Sequence, residues 1–403
     1  MVPVNSMRFF ISIGPFFIYF LGLGSLLISD VFVTKFFVDQ NIETWAEVRS
    51  LIGISGVICL VGLDQMLFRS RKSSGRILRL LSVQIPLLAV PVGLLIWWTG
   101  YLGSWLIASL LAIGSAGSLA LFQYFRSHNR PIQSQFSGQG WKILVFLAVS
   151  FITVTKTDVA LDAMVVVMML LSLLVAGFLV LRRSPSCYYP QDPECFGALY
   201  STGTRFMVTS LFLALAVYAQ QLVVNGLGSA QEGARYFTHA TYFLFPISVA
   251  NGYFAFLIGP WIRDNHDRFV SIMHGWAWLI ILGVICFAVL VHGIGWVGWM
   301  LVSPAVGAPD HVLQMIFIVM CVTMTLYTFP SAYNGVFARP PQFDLLILGQ
   351  ITALALAVGT FIVLYIFGYA RLTHAVAVAS AMNWVLRTAI GFGVIHVIVK
   401  SRR

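Results

Sequence analysis

Apolar positions in this chain neither alternate nor mark one stripe of a surface helix; they fill long unbroken runs. Residues 9–29, 80–125, 163–181, 206–231, 236–262, 269–309 and 345–370 contain no Asp, Glu, Lys or Arg. A helix rising about 1.5 Å per residue needs roughly 20 such residues to cross a hydrocarbon core about 30 Å thick. Turn-like punctuation divides the longest runs, at 99–104 and again at 303–309. The pattern predicts twelve spans: 9–29, 50–68, 79–98, 102–124, 141–157, 162–181, 206–226, 236–259, 270–292, 311–332, 345–367 and 375–399. The expected fold class is an all-α polytopic membrane protein of about 12 transmembrane helices. The first run exceeds the h-region of a secretory signal and no small-x-small cleavage site follows, so it reads as a retained span.

Composition agrees. Hydrophobic residues make up 59% of the chain, charged residues 9%, and mean hydropathy is +0.89, against roughly 25% charged residues in soluble domains. The net charge of +10 would suggest nucleic acid in a soluble protein. Here the basic residues sit in short links between spans, where they set topology, and no compact basic domain holds a groove, so no nucleic-acid partner is expected. The five cysteines, Cys59, Cys187, Cys195, Cys286 and Cys321, lack metal-type spacing.

With both termini in the cytoplasm, 18 of the 24 Lys and Arg fall on inner links, including Arg130 and Lys142, and five fall outside: Lys35, Arg49, Lys156, Arg235 and Arg371. This asymmetry supports twelve spans facing that way. Acidic residues lean outward, Asp30 and Asp310 among them. The longest polar link suggests an N-terminal six-helix lobe at 1–181, a cytoplasmic linker at 182–202 and a C-terminal six-helix lobe at 203–403. The halves begin alike, Ser6-Met7-Arg8-Phe9 and Gly203-Thr204-Arg205-Phe206, as in transporters built from parallel repeats around a midplane site.

Few polar groups fall inside the spans. A charge at the bilayer centre costs at least about 2.5–3.5 kcal/mol on insertion scales and usually faces a bundle interior. Arg387 lies mid-span with Asn383 one turn earlier. It reads as a cationic contact for an anionic substrate, or as a structural partner of carbonyls or Asp64. Asp64, near the inner end of the second span, is a coupling carboxylate or a partner of the adjacent basic cluster. Arg8 and Arg205 stand at cytoplasmic mouths, as topology anchors or substrate contacts. Arg49 and Arg235 begin spans on the side where Arg is disfavoured, which points to a vestibule contact with phosphate or to pairing with Glu47 and Glu232. Gln220, Gln221, His239 and Asn251 are lumen candidates or interhelical hydrogen bonders. Pro15 and Pro246 predict kinks, and Trp97, Trp98, Trp105, Trp296 and Trp299 an interfacial aromatic belt. No Walker loop, nucleophile elbow or paired metal motif is present in the sequence, so neither an enzyme nor a cofactor is expected.

The two halves, the Arg-Phe start of each, and the segment Gly233-Ala234-Arg235-Tyr236 leading through Pro246 to Ile258-Gly259-Pro260-Trp261-Ile262-Arg263 resemble the polysaccharide branch of the multidrug/oligosaccharidyl-lipid/polysaccharide exporter superfamily, and within it the Wzx-type O-antigen flippases. The resemblance implies two six-helix lobes around a central cavity that opens alternately to either side. It implies an oligosaccharide repeat unit linked through pyrophosphate to undecaprenol as substrate, moved across a bacterial inner membrane among membrane lipids and polysaccharide assembly proteins. Substrate contacts would then come from Arg387, Asn383, Arg8, Arg205, Arg49 and Arg235, and coupling from Asp64. The alternatives are another exporter of the superfamily, for drugs or other lipid-linked glycans, and an O-antigen polymerase or ligase. The latter enzymes carry a large periplasmic loop, and every outer link expected here is short.

Overall fold

The computed structural model describes residues 6–69, 73–157, 159–183 and 196–402, and these are helical almost throughout, with no strand among them. A lipid-exposed backbone must satisfy its own hydrogen bonds, and a helix does so within one segment. Eleven helices among the described residues are long and apolar enough to cross a bilayer, so the chain is a multi-pass membrane protein. It divides into two compact units, Met1–Ala214 and Leu215–Arg403.

Unit 1 contains α1 (Ser6–Phe36), α2 (Asp39–Leu60), α3 (Leu63–Arg69), α4 (Ser74–Trp98), α5 (Trp105–Ser127), α6 (Pro131–Thr155), α7 (Leu161–Arg183) and the start of α8 (Phe196–Leu227). The expected second span is two helices. Val61 and Gly62 both adopt left-handed backbone (φ 49° and 70°) and end α2. Gly62 also lies against the backbone of Gly203 and Met207, where any Cβ would collide, so glycine is required twice over. Because α2 carries Asp39, Glu43, Glu47 and Arg49 in its first half, it is not among the eleven spans; with α3 it occupies the place of the expected second span, the one of the twelve that the eleven lack. Residues 184–195, most of the expected linker, lie outside the described residues.

Two boundaries differ in ways that bear on function. The uncharged run places the fifth span at 141–157, but α6 begins at Pro131. Lys142 is therefore no link residue; it stands 11 residues into the helix, about 17 Å from the nearer end. Similarly α1 continues to Phe36, and Asp30, expected outside, is fully buried within it. Helices α1 and α6 run parallel, with Gly14 against Ile132, Gly22 against Gln139 and Phe32 against Phe146. Small side chains and polar cross-links hold the unit's interior, as membrane bundles require. Ser115 Oγ donates to the Ile52 carbonyl (2.6 Å), Ser134 Oγ to that of Phe122 (2.8 Å), and Gln84 links Cys59 to Tyr200. Outward faces are apolar, with Val154 82% and Trp98 78% exposed.

Unit 2 contains the rest of α8, then α9 (Ala230–Phe243), α10 (Phe245–Asp264), α11 (His266–Gly275), α12 (Ala277–Val306), α13 (His311–Phe337), α14 (Pro340–Ile366) and α15 (Leu372–Arg402). At Pro246 the expected kink is a full interruption. Proline in the first turn of α10 supplies no donor to α9, and the helices part at Leu244. A Ser229–Glu232 capping box starts α9. Trp299 belongs to the core rather than the belt: it is 2% exposed and stacks on Phe243 at 5.6 Å and 25°. Helices α13 and α15 pack side by side, with Gly391 against Pro330, Thr388 Oγ1 donating to the Thr323 carbonyl (3.0 Å) and Asn334 Nδ2 to that of Gly391 (3.3 Å). This seam carries the deepest charge of the unit.

Candidate functional site

Arg387 sits at the middle of α15, facing α13, and is 1% exposed. Its guanidinium carbon lies 5.2 Å from the ring centre of Tyr327 on α13 and 5.8 Å from that of Trp384, three residues earlier on its own helix. The two rings meet edge to face at 5.7 Å and 70°. One terminal nitrogen donates to the Tyr327 hydroxyl at 3.3 Å, while Nε has no partner. Asn383 Oδ1 and Trp384 Nε1 on the same turns are likewise buried and unbonded.

Magnitudes show why this arrangement is unusual. Each aromatic face returns roughly 0.5–2 kcal/mol to a cation, and one long hydrogen bond about 1 kcal/mol. Together they offset the cost of placing an arginine mid-membrane, roughly 2.5–3.5 kcal/mol or more, but provide no counter-charge. Arginine cannot shed its proton to escape this cost. No carboxylate among the described residues of unit 2 lies within ion-pairing distance of it, and the unit's acids all stand at or near helix ends: Glu232, Asp264, Asp267, Asp310 and Asp344. Arg387 therefore presents a fixed positive charge and unsaturated donors, held in orientation by two rings. An anion with several acceptor oxygens fits those donors.

Unit 1 holds a second deep cation, in a place that sequence spacing assigns to a link. Lys142 Nζ donates to Gln139 Oε1 (2.7 Å) and lies 5.6 Å from the Trp141 ring centre. It makes no ion pair among the described residues. The run Ser134, Gln135, Ser137, Gly138, Gln139, Gly140 was the available signal, since small and polar residues in that density mark a helix face turned toward other helices.

Arg49 is engaged with a buried acid. Its Nε and one terminal nitrogen each lie 3.1 Å from an oxygen of Asp30, whose Oδ1 also accepts from Trp45 Nε1 at 2.8 Å. This fork-shaped pair ties α1 to α2. Asp64 falls in the first turn of α3 and accepts from Gln65 Nε2 at 2.9 Å. Arg205 is bonded to the previous turn of its own helix, at Ser201 O (3.2 Å) and Ser201 Oγ (3.0 Å). Arg8 lies in the first turns of α1, with its side chain outside the described residues. Gln220 and Gln221 join helices: Tyr236 donates to Gln220 (2.8 Å), and Gln221 donates to the Gly233 carbonyl (3.0 Å). Asn251 is buried with neither amide atom bonded.

Arg235 meets Asp310 rather than Glu232, which caps α9. Asp310 is a junction: it caps α13 through the N–H groups of Val312 and Leu313, accepts from His374 Nε2 at 3.0 Å, and has Arg235 at 3.6 Å. Partial burial works to raise its pKa. The His374 hydrogen bond, the Leu313 amide and the charges of His374 and Arg235 outweigh that and hold the carboxyl below its ordinary range. The junction stands about 25 Å along α13 from Tyr327, so Arg235 is not part of the Arg387 site, whereas Asn383 shares a turn with it.

These features define a polytopic helical membrane protein with a deep, aromatic-flanked cation, and its fold is that of the MATE transporters. A mutant MATE superposes at a TM-score of 0.58 with 14% identity, covering 97% of this chain and 96% of that one. MATE in the bent conformation gives 0.56 with 13% identity, over 95% and 94%. The MATE transporter ClbM in complex with Rb+ gives 0.55 with 15% identity, over 95% and 92%. No family pattern and no curated protein matches the sequence.

Proposed function

We propose that this protein is a flippase that carries an undecaprenyl-pyrophosphate-linked oligosaccharide from the cytoplasmic to the periplasmic leaflet of a bacterial inner membrane by alternating access. The observation that carries the reading is Arg387, buried in the bilayer-spanning part of α15 with unsaturated donors and no carboxylate beside it among the described residues of unit 2. A pyrophosphate supplies what that group lacks: negative charge and several acceptor oxygens for a planar fork. Asn383, four residues earlier with a buried free oxygen, suits a sugar hydroxyl. Lys142 gives unit 1 a deep cation of its own. The MATE fold supports an exporter, and the basic residues on alternate links support cytoplasmic termini.

An exporter of cationic drugs would need carboxylates where this chain has Arg387 and Lys142, and Asp30, buried deep in unit 1, is already matched by Arg49. The anionic cargo is therefore favoured within the superfamily. In this reading the protein performs no covalent chemistry and needs no cofactor. Cells lacking it should accumulate the lipid-linked repeat unit on the inner leaflet, and the purified protein in vesicles should move that lipid between leaflets. Glycosyl transfer by the purified protein alone overturns the reading in favour of a polymerase or ligase.

A further inference from the structure

We propose that His239 is a proton-binding site, and that its protonation unlatches α9 from the start of α13. His239 is 2% exposed, and both its ring nitrogens are engaged. Nδ1 lies 2.8 Å from the Arg235 backbone carbonyl, which can only accept, so this nitrogen carries the hydrogen. Nε2 accepts from the backbone N–H of Asp310 at 2.9 Å, so it must be bare. One neutral tautomer satisfies both contacts. An imidazolium cannot, because it sets a second N–H against the Asp310 N–H.

The surroundings make this bond a lever. Asp310 joins three helices: its carboxylate caps α13 and engages Arg235 on α9 and His374 on α15, while its amide holds His239. The charged groups facing His239 are thus Arg235 on its own helix, the Asp310 carboxylate and His374. From α12 the neighbour is Trp299, 4.8 Å between ring centres, and that helix's His292 lies against Phe243 instead. His311 on α13 stacks with Trp296. The charges of α10, Arg263 and Asp264, sit at its far end. Asp310 does not itself respond near neutrality, since its partners keep it ionised. The Arg235 side chain is 54% exposed, which gives protons a route to the cluster. This end of unit 2 is the one that the basic-residue asymmetry assigns to the outside. A proton arriving there would loosen one of the two ties that Asp310 makes to α9, leaving the Cys321–Phe243 and Tyr236–Phe317 contacts further along the two helices in place. The use of that event to drive transport rests on the flippase reading; the protonation does not.

Hydrogen–deuterium exchange of the purified full-length protein tests it without substrate. After correction for the intrinsic pH dependence of exchange, protection of the Asp310 amide should fall about tenfold between pH 8 and pH 5, the loss of roughly one hydrogen bond. His239→Gln, whose side-chain oxygen accepts at both pH values, should keep its protection, and His374→Gln should still show the wild-type response. Protection in the wild type that does not change with pH overturns the proposal, as does a response abolished by His374→Gln. If His239→Gln does not fold, the wild-type and His374→Gln profiles still decide. A protein that shows the response yet flips no lipid would count against the flippase reading alone.

Discussion

Replacing Arg387 by methionine removes the charge while keeping most of the volume, which separates binding from packing. If the guanidinium holds a phosphate through a two-bond fork, each charge-assisted hydrogen bond is worth about 1.5–3 kcal/mol. Losing both removes at least about 3 kcal/mol, or roughly a hundredfold in affinity. Stability should move the other way or stay level. The charge costs roughly 2.5–3.5 kcal/mol to insert, and the contacts that disappear are two ring interactions of about 0.5–2 kcal/mol each and one 3.3 Å bond to Tyr327. Those terms nearly cancel, and methionine refills the space against Tyr327 and Trp384.

The expected result for Arg387→Met is therefore normal insertion, a melting temperature equal to or above the parent's, and lipid transport per folded molecule reduced about a hundredfold. Arg387→Lys should recover only part of the loss, because an ammonium is a point charge without the fork. The assay is scrambling of a labelled lipid-linked oligosaccharide in vesicles, normalised to protein measured by size-exclusion fluorescence. Unchanged transport per folded molecule refutes the assignment. A parallel fall in melting temperature and transport would make Arg387 a structural cation.

Asp30→Asn leaves the Arg49 guanidinium without its buried counter-charge, a loss of about 3–5 kcal/mol; the melting temperature should drop sharply and recover in Asp30→Asn/Arg49→Met. Lys142→Met should lower transport with little loss of stability, as measured by the same vesicle assay. Asp310, held below the ordinary carboxylate pKa of about 3.9, contributes stability that is complete above that value and lost only as pH falls through its lowered pKa. Thermal melts should therefore show the parent keeping its stability advantage over Asp310→Asn down to pH 5 and losing it only as pH falls below the ordinary carboxylate value, and an advantage already gone by pH 5 would contradict the pairing. Reporter fusions at Arg130, Asn265 and Arg339 should report the cytoplasm; a periplasmic signal at Asn265 refutes the orientation.

The class of the elements and most of their positions were legible because bilayer thickness imposes one length on every span, and the sequence displays that length as uncharged runs. Arg387 was legible for the same reason: a charge in the middle of such a run has no external partner within reach. What spacing could not supply was the identity of neighbours. Chain proximity offers Arg49 the carboxylate of Glu47, yet its fork closes on Asp30, 19 residues back, because α1 continues about two turns beyond its uncharged run and carries the acid inward. Lys142 departs in the opposite direction. Spacing makes this charge the start of a helix, whereas the polar, glycine-rich run before it is already helical and turned toward α1.

Both departures have one cause. Hydropathy reports what a helix shows to lipid, and it is blind to a face that other helices cover, so it pushes the charges of Asp30 and Lys142 out to the water because lipid cannot hold them. Protein can. Asp30 is matched by a fork, which makes it structural, whereas among the described residues buried Arg387 meets a hydroxyl and two aromatic rings, and partly exposed Lys142 an amide and one ring. A buried charge such as Arg387, with no counter-ion among the described residues of its own unit, is stabilised by whatever anion it can meet, and the binding energy available to that anion is the part of the desolvation cost that the protein has not already recovered.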